Sequence, residues 1–147
     1  MTKPRIDRSP VFDAAWTRSD QRLRSFLDSL VDAFATYVQQ GDHDHFGRDE
    51  PLEWPSSARA AALKHIHIIP VDPDLNPRFF KSWKLKQPFR RTSDRMLIYV
   101  KDDRGNYCLL AYLHDDAHTL LNKASLVGQL ADLAEEWFWQ NESFPMS

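Results

Sequence analysis

Cysteine is nearly missing from this chain. Cys108 stands alone, so no disulfide can form within the chain and no paired CxxC motif is present. Glycine is scarce as well, with four residues in 147. None is grouped into a phosphate-cradling loop or a GxSxG elbow, which removes P-loop nucleotide binding and serine-hydrolase chemistry. No apolar run approaches the roughly 20 residues that a membrane span needs. The opening stretch MTKPRIDRSPVFDAAW is charged and has no apolar centre, so no signal peptide is expected. A reducing, cytoplasmic setting fits these absences. Excess charge is also lacking: the net value of −2 argues against a uniformly basic nucleic-acid binder.

What is present suffices for one compact domain over residues 1–147. Residues up to Trp16 hold Pro4, Pro10 and scattered charge, and read as a flexible arm before a domain at 17–147. From Ser19 to Gln40, Leu23, Phe26, Leu27, Leu30, Val31, Phe34, Tyr37 and Val38 recur at three and four residues. That spacing predicts an amphipathic helix, with Thr17 or Ser19 to cap it and Gly41 to end it. Asp42 to Pro55 reads as a polar loop in which Gly47 bends the backbone and fixes the direction of Arg48 and Asp49. Lys64 to Ile69 alternates as a strand, with His65 and His67 on one face. Val71 to Phe89 is a long Pro-containing connection, rich in aromatics.

Met96 to Val100 and Tyr107 to Leu113 are apolar runs joined by Asp102-Asp103-Arg104-Gly105, which predicts a β-hairpin. Its open end gathers Arg91, Thr92, Ser93 and Asp94 with His114 and His118; a buried hairpin with solvated polar ends explains the same residues. Ser125 is the expected cap of a second amphipathic helix, with Leu126, Val127, Leu130, Leu133, Ala134, Trp137 and Phe138 on its apolar side. The sum is α+β: a small antiparallel sheet packed against an N-terminal and a C-terminal helix.

Charge is uneven along the chain. Arg78 to Arg104 holds nine bases against three acids, a net of +6, whereas Asp115 to Ser147 is net −5. A basic segment attracts phosphate locally because distant charge is screened. Two imidazoles on one strand suit general acid–base work, since their ordinary pKa lies near 6.5. His65 and His67, joined by the His43/His45 loop, could instead hold zinc. Arg48-Asp49 is equally well explained as a structural ion pair or as a phosphate grip. RNA cleavage needs no metal or other cofactor where a base takes the 2′-OH proton, an acid protonates the leaving 5′-oxygen and a cation holds the phosphate. His and Arg can fill all three roles.

In order, Phe46-Gly47-Arg48-Asp49, Trp54-Pro55, His65-Ile66-His67, Arg91-Thr92-Ser93-Asp94, Tyr99, the run Leu109 to Leu113 and His118 resemble the YafO family of bacterial type II toxins. The likeness runs from about Phe46 to Trp137. It implies a RelE-like fold and a growth-arresting mRNA interferase that acts on translating ribosomes. Such a toxin associates with the large subunit, cuts message there and is neutralised by a co-encoded antitoxin, with no membrane partner. The resemblance places its implied site on Arg48, Asp49, His65, His67, Arg91, Asp94, Tyr99 and His118, with Thr92 beside them. Arg78, Lys81, Lys84, Lys86, Arg90 and Arg95 are the expected contacts to RNA. His114 lies outside the matched pattern. The N-terminal arm and the longer basic loop from Pro73 to Phe89 depart from it, as does the weakly acidic overall charge. Two other functions fit the residues: a RelE-like binder that blocks its target without cutting, and a metal-dependent hydrolase using the histidines.

Overall fold

The computed structural model describes residues 3–147. Five strands form one sheet: β1 (Ile6–Arg8), β2 (Phe46–Pro51), β3 (Lys64–Ile68), β4 (Met96–Lys101) and β5 (Tyr107–Leu113), in the order β1-β5-β4-β3-β2. Between and around them lie α1 (Pro10–Arg18), α2 (Gln21–Gln40), α3 (Ser56–Ala60), α4 (Pro77–Leu85), α5 (Ala117–Leu121) and α6 (Ala124–Gln140). The fold is α+β, with helices at both ends of the chain, and is compatible with a RelE-like fold. The expected antiparallel sheet needs one amendment: β1 pairs parallel to β5, while the other neighbours are antiparallel.

The predicted hairpin forms from β4 and β5. Its turn is built by Asp102, whose Oδ1 accepts the backbone N–H groups of Arg104 and Asn106 at 3.0 and 2.8 Å. Gly105 takes the left-handed conformation that the tight return requires, at φ 80°. Because side chains alternate along a strand, Met96, Ile98 and Val100 face one side and Leu97 and Tyr99 the other. The first side packs on α3, α5 and α6, with Leu63, Leu110, Ala117, Val127, Leu130 and Ala134 fully or nearly enclosed. The second packs on α1 and α2 through Phe12, Leu27, Leu30, Phe34, Phe46 and Leu109. Two apolar cores therefore sandwich the sheet.

Helix α2 follows the predicted stripe, though Asp20 caps it rather than Thr17 or Ser19, accepting the Leu23 N–H at 2.9 Å. Lys123, not Ser125, precedes α6. The segment read as a flexible arm is structured from Ile6 onward. Ser9 Oγ accepts the Phe12 N–H at 3.1 Å and donates to the Leu110 carbonyl at 2.7 Å, Pro10 opens the helix, and Phe12 is buried in the core. Strand β2 occupies what reads as a polar loop, and α4 occupies the middle of the long connection. Among the described residues no helix is long and apolar enough to cross a membrane.

Candidate active site

The register decides which of the polar residues meet. His65 and His67 on β3 stand opposite Ile98 and Met96 of β4, whose side chains belong to the α6-side core. Cross-strand partners share a face, so both imidazoles point to that side, at the end of the sheet where α5 begins. His118, in α5, completes a row: its ring lies 5.8 Å from that of His67, which is 5.7 Å from that of His65. On β2, Glu50 pairs with His65 and so faces the same way. Arg48, two residues before it, holds Glu50 in an ion pair at 3.7 Å. Arg48 also donates through Nε to the Phe89 carbonyl at 2.7 Å and lies over the Phe89 ring, 4.1 Å from its centre.

The three imidazoles differ in exposure and therefore in chemistry. His67 is only 3% exposed. Its Nδ1 takes the Ser93 N–H at 2.8 Å, and burial, reinforced by the nearby charge of His65, pushes its pKa down to about 4. His65 is half-buried, and burial again lowers its pKa despite the nearby Glu50 carboxylate. Its Nδ1 is enclosed without a hydrogen-bond partner. His118 is the open member, with 64% of its side chain exposed. Asp94 Oδ1 accepts both its backbone N–H at 2.9 Å and its Nδ1–H at 2.7 Å. That pairing assigns the Nδ1–H tautomer and leaves Nε2 free to accept a proton. The His118 backbone N–H, and then its side chain, keep the Asp94 carboxyl below the usual carboxylate range.

Other expected site residues lie elsewhere. Adjacent strand residues point to opposite faces, so Asp49 turns away from Arg48's neighbours toward α2. There its Oδ2 accepts the hydroxyls of Tyr37 and Tyr99, each at 2.6 Å. Burial and that carboxylate raise both phenol pKa values well above normal. Tyr99 is 4% exposed and ties the sheet to α2 rather than facing a ligand. Arg91 is buried too. Its guanidinium donates to the carbonyls of Trp83, Phe46 and Lys84 at 3.0, 3.1 and 3.3 Å and pairs with Asp42 at 3.6 Å. It fastens α4 to β2 and has no free face for a phosphate. Thr92 is exposed just beyond it, and Arg95 pairs with Asp115 at 3.4 Å. Arg78, Lys81, Lys84, Lys86 and Arg90 are exposed on α4 and the turn that follows.

His43 and His45 sit on the α2 side of the sheet against Phe46 and Phe80, away from His65 and His67. Among the described residues no group of three or more His, Cys, Asp or Glu side chains is arranged to hold a metal ion. His114 bonds Tyr112 through Nδ1 at 2.6 Å, outside the row. Glu50 and Phe89 are members that sequence reasoning did not select, while Ser93 belongs to the polar cluster expected at the open end of the hairpin. Glu50 joins His65 only because β2 is a strand paired with β3, which the loop-like sequence of this stretch does not announce.

A small α+β domain with three imidazoles in a row and an arginine near them is what these features define. The model of the YafO toxin family, type II toxin–antitoxin system, matches residues 35–140, and the chain belongs to that family. Membership makes it a toxin of a toxin–antitoxin system, with a cognate antitoxin as partner. No curated protein and no solved structure matches the chain.

Proposed function

We propose that this toxin is an endoribonuclease that cleaves messenger RNA on translating ribosomes, in the cytoplasm, until its antitoxin neutralises it. The observation that carries the proposal is the Asp94–His118 pair at 2.7 Å, exposed and in line with two further imidazoles. Held by Asp94, His118 presents Nε2 to take the 2′-OH proton of the nucleotide before the break. The 2′-oxygen then attacks the adjoining phosphorus, and the bond to the 5′-oxygen breaks. His65 protonates that leaving oxygen; the negative phosphate raises its proton affinity once bound. Arg48, oriented by Phe89 and Glu50, holds the phosphate oxygens. His67, kept neutral by burial, fixes the Ser93 backbone beside Asp94 rather than exchanging protons.

Burial moves the acid–base role from His67 to His118 and, with the Arg91 donors spent on backbone carbonyls, leaves Arg48 as the cation for the phosphate. The exposed bases of α4 supply the contact to ribosomal RNA that the acidic remainder of the chain does not. The test is induction in cells of the wild type, His118→Ala and Asp94→Asn, with growth and message integrity followed together. Loss of toxicity and of cleavage in both variants, at equal amounts of folded protein, is expected. Full toxicity from His118→Ala would refute the assignment.

A further inference from the structure

Phe89 is 59% exposed, an unusual setting for a phenylalanine next to a charged site. It lies in the short 3-10 turn Pro88–Arg90, which packs on β2. One side of its ring carries the Arg48 guanidinium at 4.1 Å, and its carbonyl accepts Arg48 Nε at 2.7 Å. No acid occurs between Asp74 and Asp94, while Lys84, Lys86 and Arg90 flank the ring in sequence and are exposed. An exposed aromatic in a basic surface, with a cation already stacked on it, matches an unstacked base followed by its phosphate.

We infer that Phe89 is a nucleobase platform: one base of single-stranded RNA stacks on its open surface while Arg48 holds the neighbouring phosphate. The ligand class rests on the RNA-cleaving function proposed above, but the platform itself is a binding element and does not depend on cutting. Backbone anchoring makes it rigid. The ring and the carbonyl of the same residue fix Arg48, so base and phosphate are gripped at a set spacing. An aromatic face accepts any base, so the platform contributes affinity and placement, with selectivity left to stacking strength.

The experiment measures binding of a short fluorescent single-stranded RNA at fixed salt, with inorganic polyphosphate as a ligand of like charge that has no bases. Wild type, Phe89→Ala and Phe89→Trp are compared, each checked for an unchanged thermal melt. Phe89→Ala is expected to weaken RNA binding about 5- to 150-fold, the range for losing one stacked base. Polyphosphate binding should fall by clearly less, because the Phe89 carbonyl still accepts Arg48 Nε when the ring is gone, and Phe89→Trp should restore RNA binding. Equal weakening toward both ligands would reduce Phe89 to a prop for Arg48 and overturn the platform. So would an RNA affinity that Phe89→Ala does not change, or a wild type with no preference for RNA over polyphosphate. Binding through Phe89 without message cleavage would support the platform while removing the nuclease; cleavage indifferent to Phe89 would do the reverse.

Discussion

Gly47→Ala is expected to break the joint on which the site hangs. At this position the reason for glycine is closeness rather than an unusual dihedral angle. A Cβ placed on Gly47 would meet the Arg91 carbonyl oxygen at 2.1 Å, its Cβ at 2.5 Å and its carbonyl carbon at 2.8 Å. All three atoms are at or next to the backbone of a buried residue, so no flexible tip can step aside. Either β2 or the chain at Arg91 must retreat by an ångström or more. That movement opens the Arg48 N–H to Arg91 carbonyl bond at 2.9 Å and pulls Phe46 from the Arg91 guanidinium, now at 3.1 Å. Overpacking costs about 1–3 kcal/mol, and each lost hydrogen bond beside a buried charge adds roughly 1–2 kcal/mol. Together the loss is about 3–7 kcal/mol, a large part of the stability of a small domain. Urea denaturation followed by tryptophan fluorescence reads it directly. With a slope of roughly 1–3 kcal/mol per molar urea, the midpoint should fall by at least about 1 M. A midpoint unchanged within error would mean that β2 and Arg91 are not locked together, and the account of how Arg48 is aimed would fail.

Further outcomes follow from the same geometry. Burial lowers the His67 pKa from 6.5 to about 4, so between those values the unfolded chain takes a proton that the folded one refuses. Stability is therefore complete above pH 6.5 and falls as pH drops toward 4, by up to roughly 3 kcal/mol from this residue. Urea midpoints across that window check it, and His67→Asn should flatten the fall. Arg91→Lys should cost about 2–4 kcal/mol, because one ammonium cannot replace the donors spread over three carbonyls and Asp42. Arg48→Lys should cost under about 1 kcal/mol yet impair cleavage, since Arg48 is partly exposed and its planar fork is the proposed phosphate grip; calorimetry and cleavage assays on both variants separate the two roles. Tyr99→Phe should lose about 1 kcal/mol of stability, one hydrogen bond to Asp49, with message cleavage unchanged; a cleavage defect in the folded variant would return Tyr99 to the site.

The hairpin and the two long helices were legible because each rests on a repeated local signal. Alternation, a Gly-ended turn and three-to-four spacing survive whatever packs around them. The alternation in Lys64–Ile69 likewise puts His65 and His67 on one face. Strand β2 was not legible: Phe46–Pro51 contains a glycine, a terminal proline and three charges, and it becomes a strand only because β3 offers an edge to pair with. Once β2 is a strand, Arg48 and Asp49 must part company, which separates two residues that sequence places together. Arg91 misled for a related reason. Among nine bases of one segment nothing marks the one that is buried, because its partners are backbone carbonyls that sequence does not display. The short β1 escaped notice because three residues show no period, although Ser9 and Pro10 do announce α1.

The central claim is that the Asp94–His118 pair cuts message in the ribosome. Its most direct test is primer extension on a reporter message incubated with purified toxin, free of antitoxin, with and without translating ribosomes. The account predicts cuts within the translated region only when ribosomes are present, and none from the His118→Ala protein. Uncut message in translating reactions that contain folded wild-type toxin would contradict it, leaving a protein that binds its target without cleaving it.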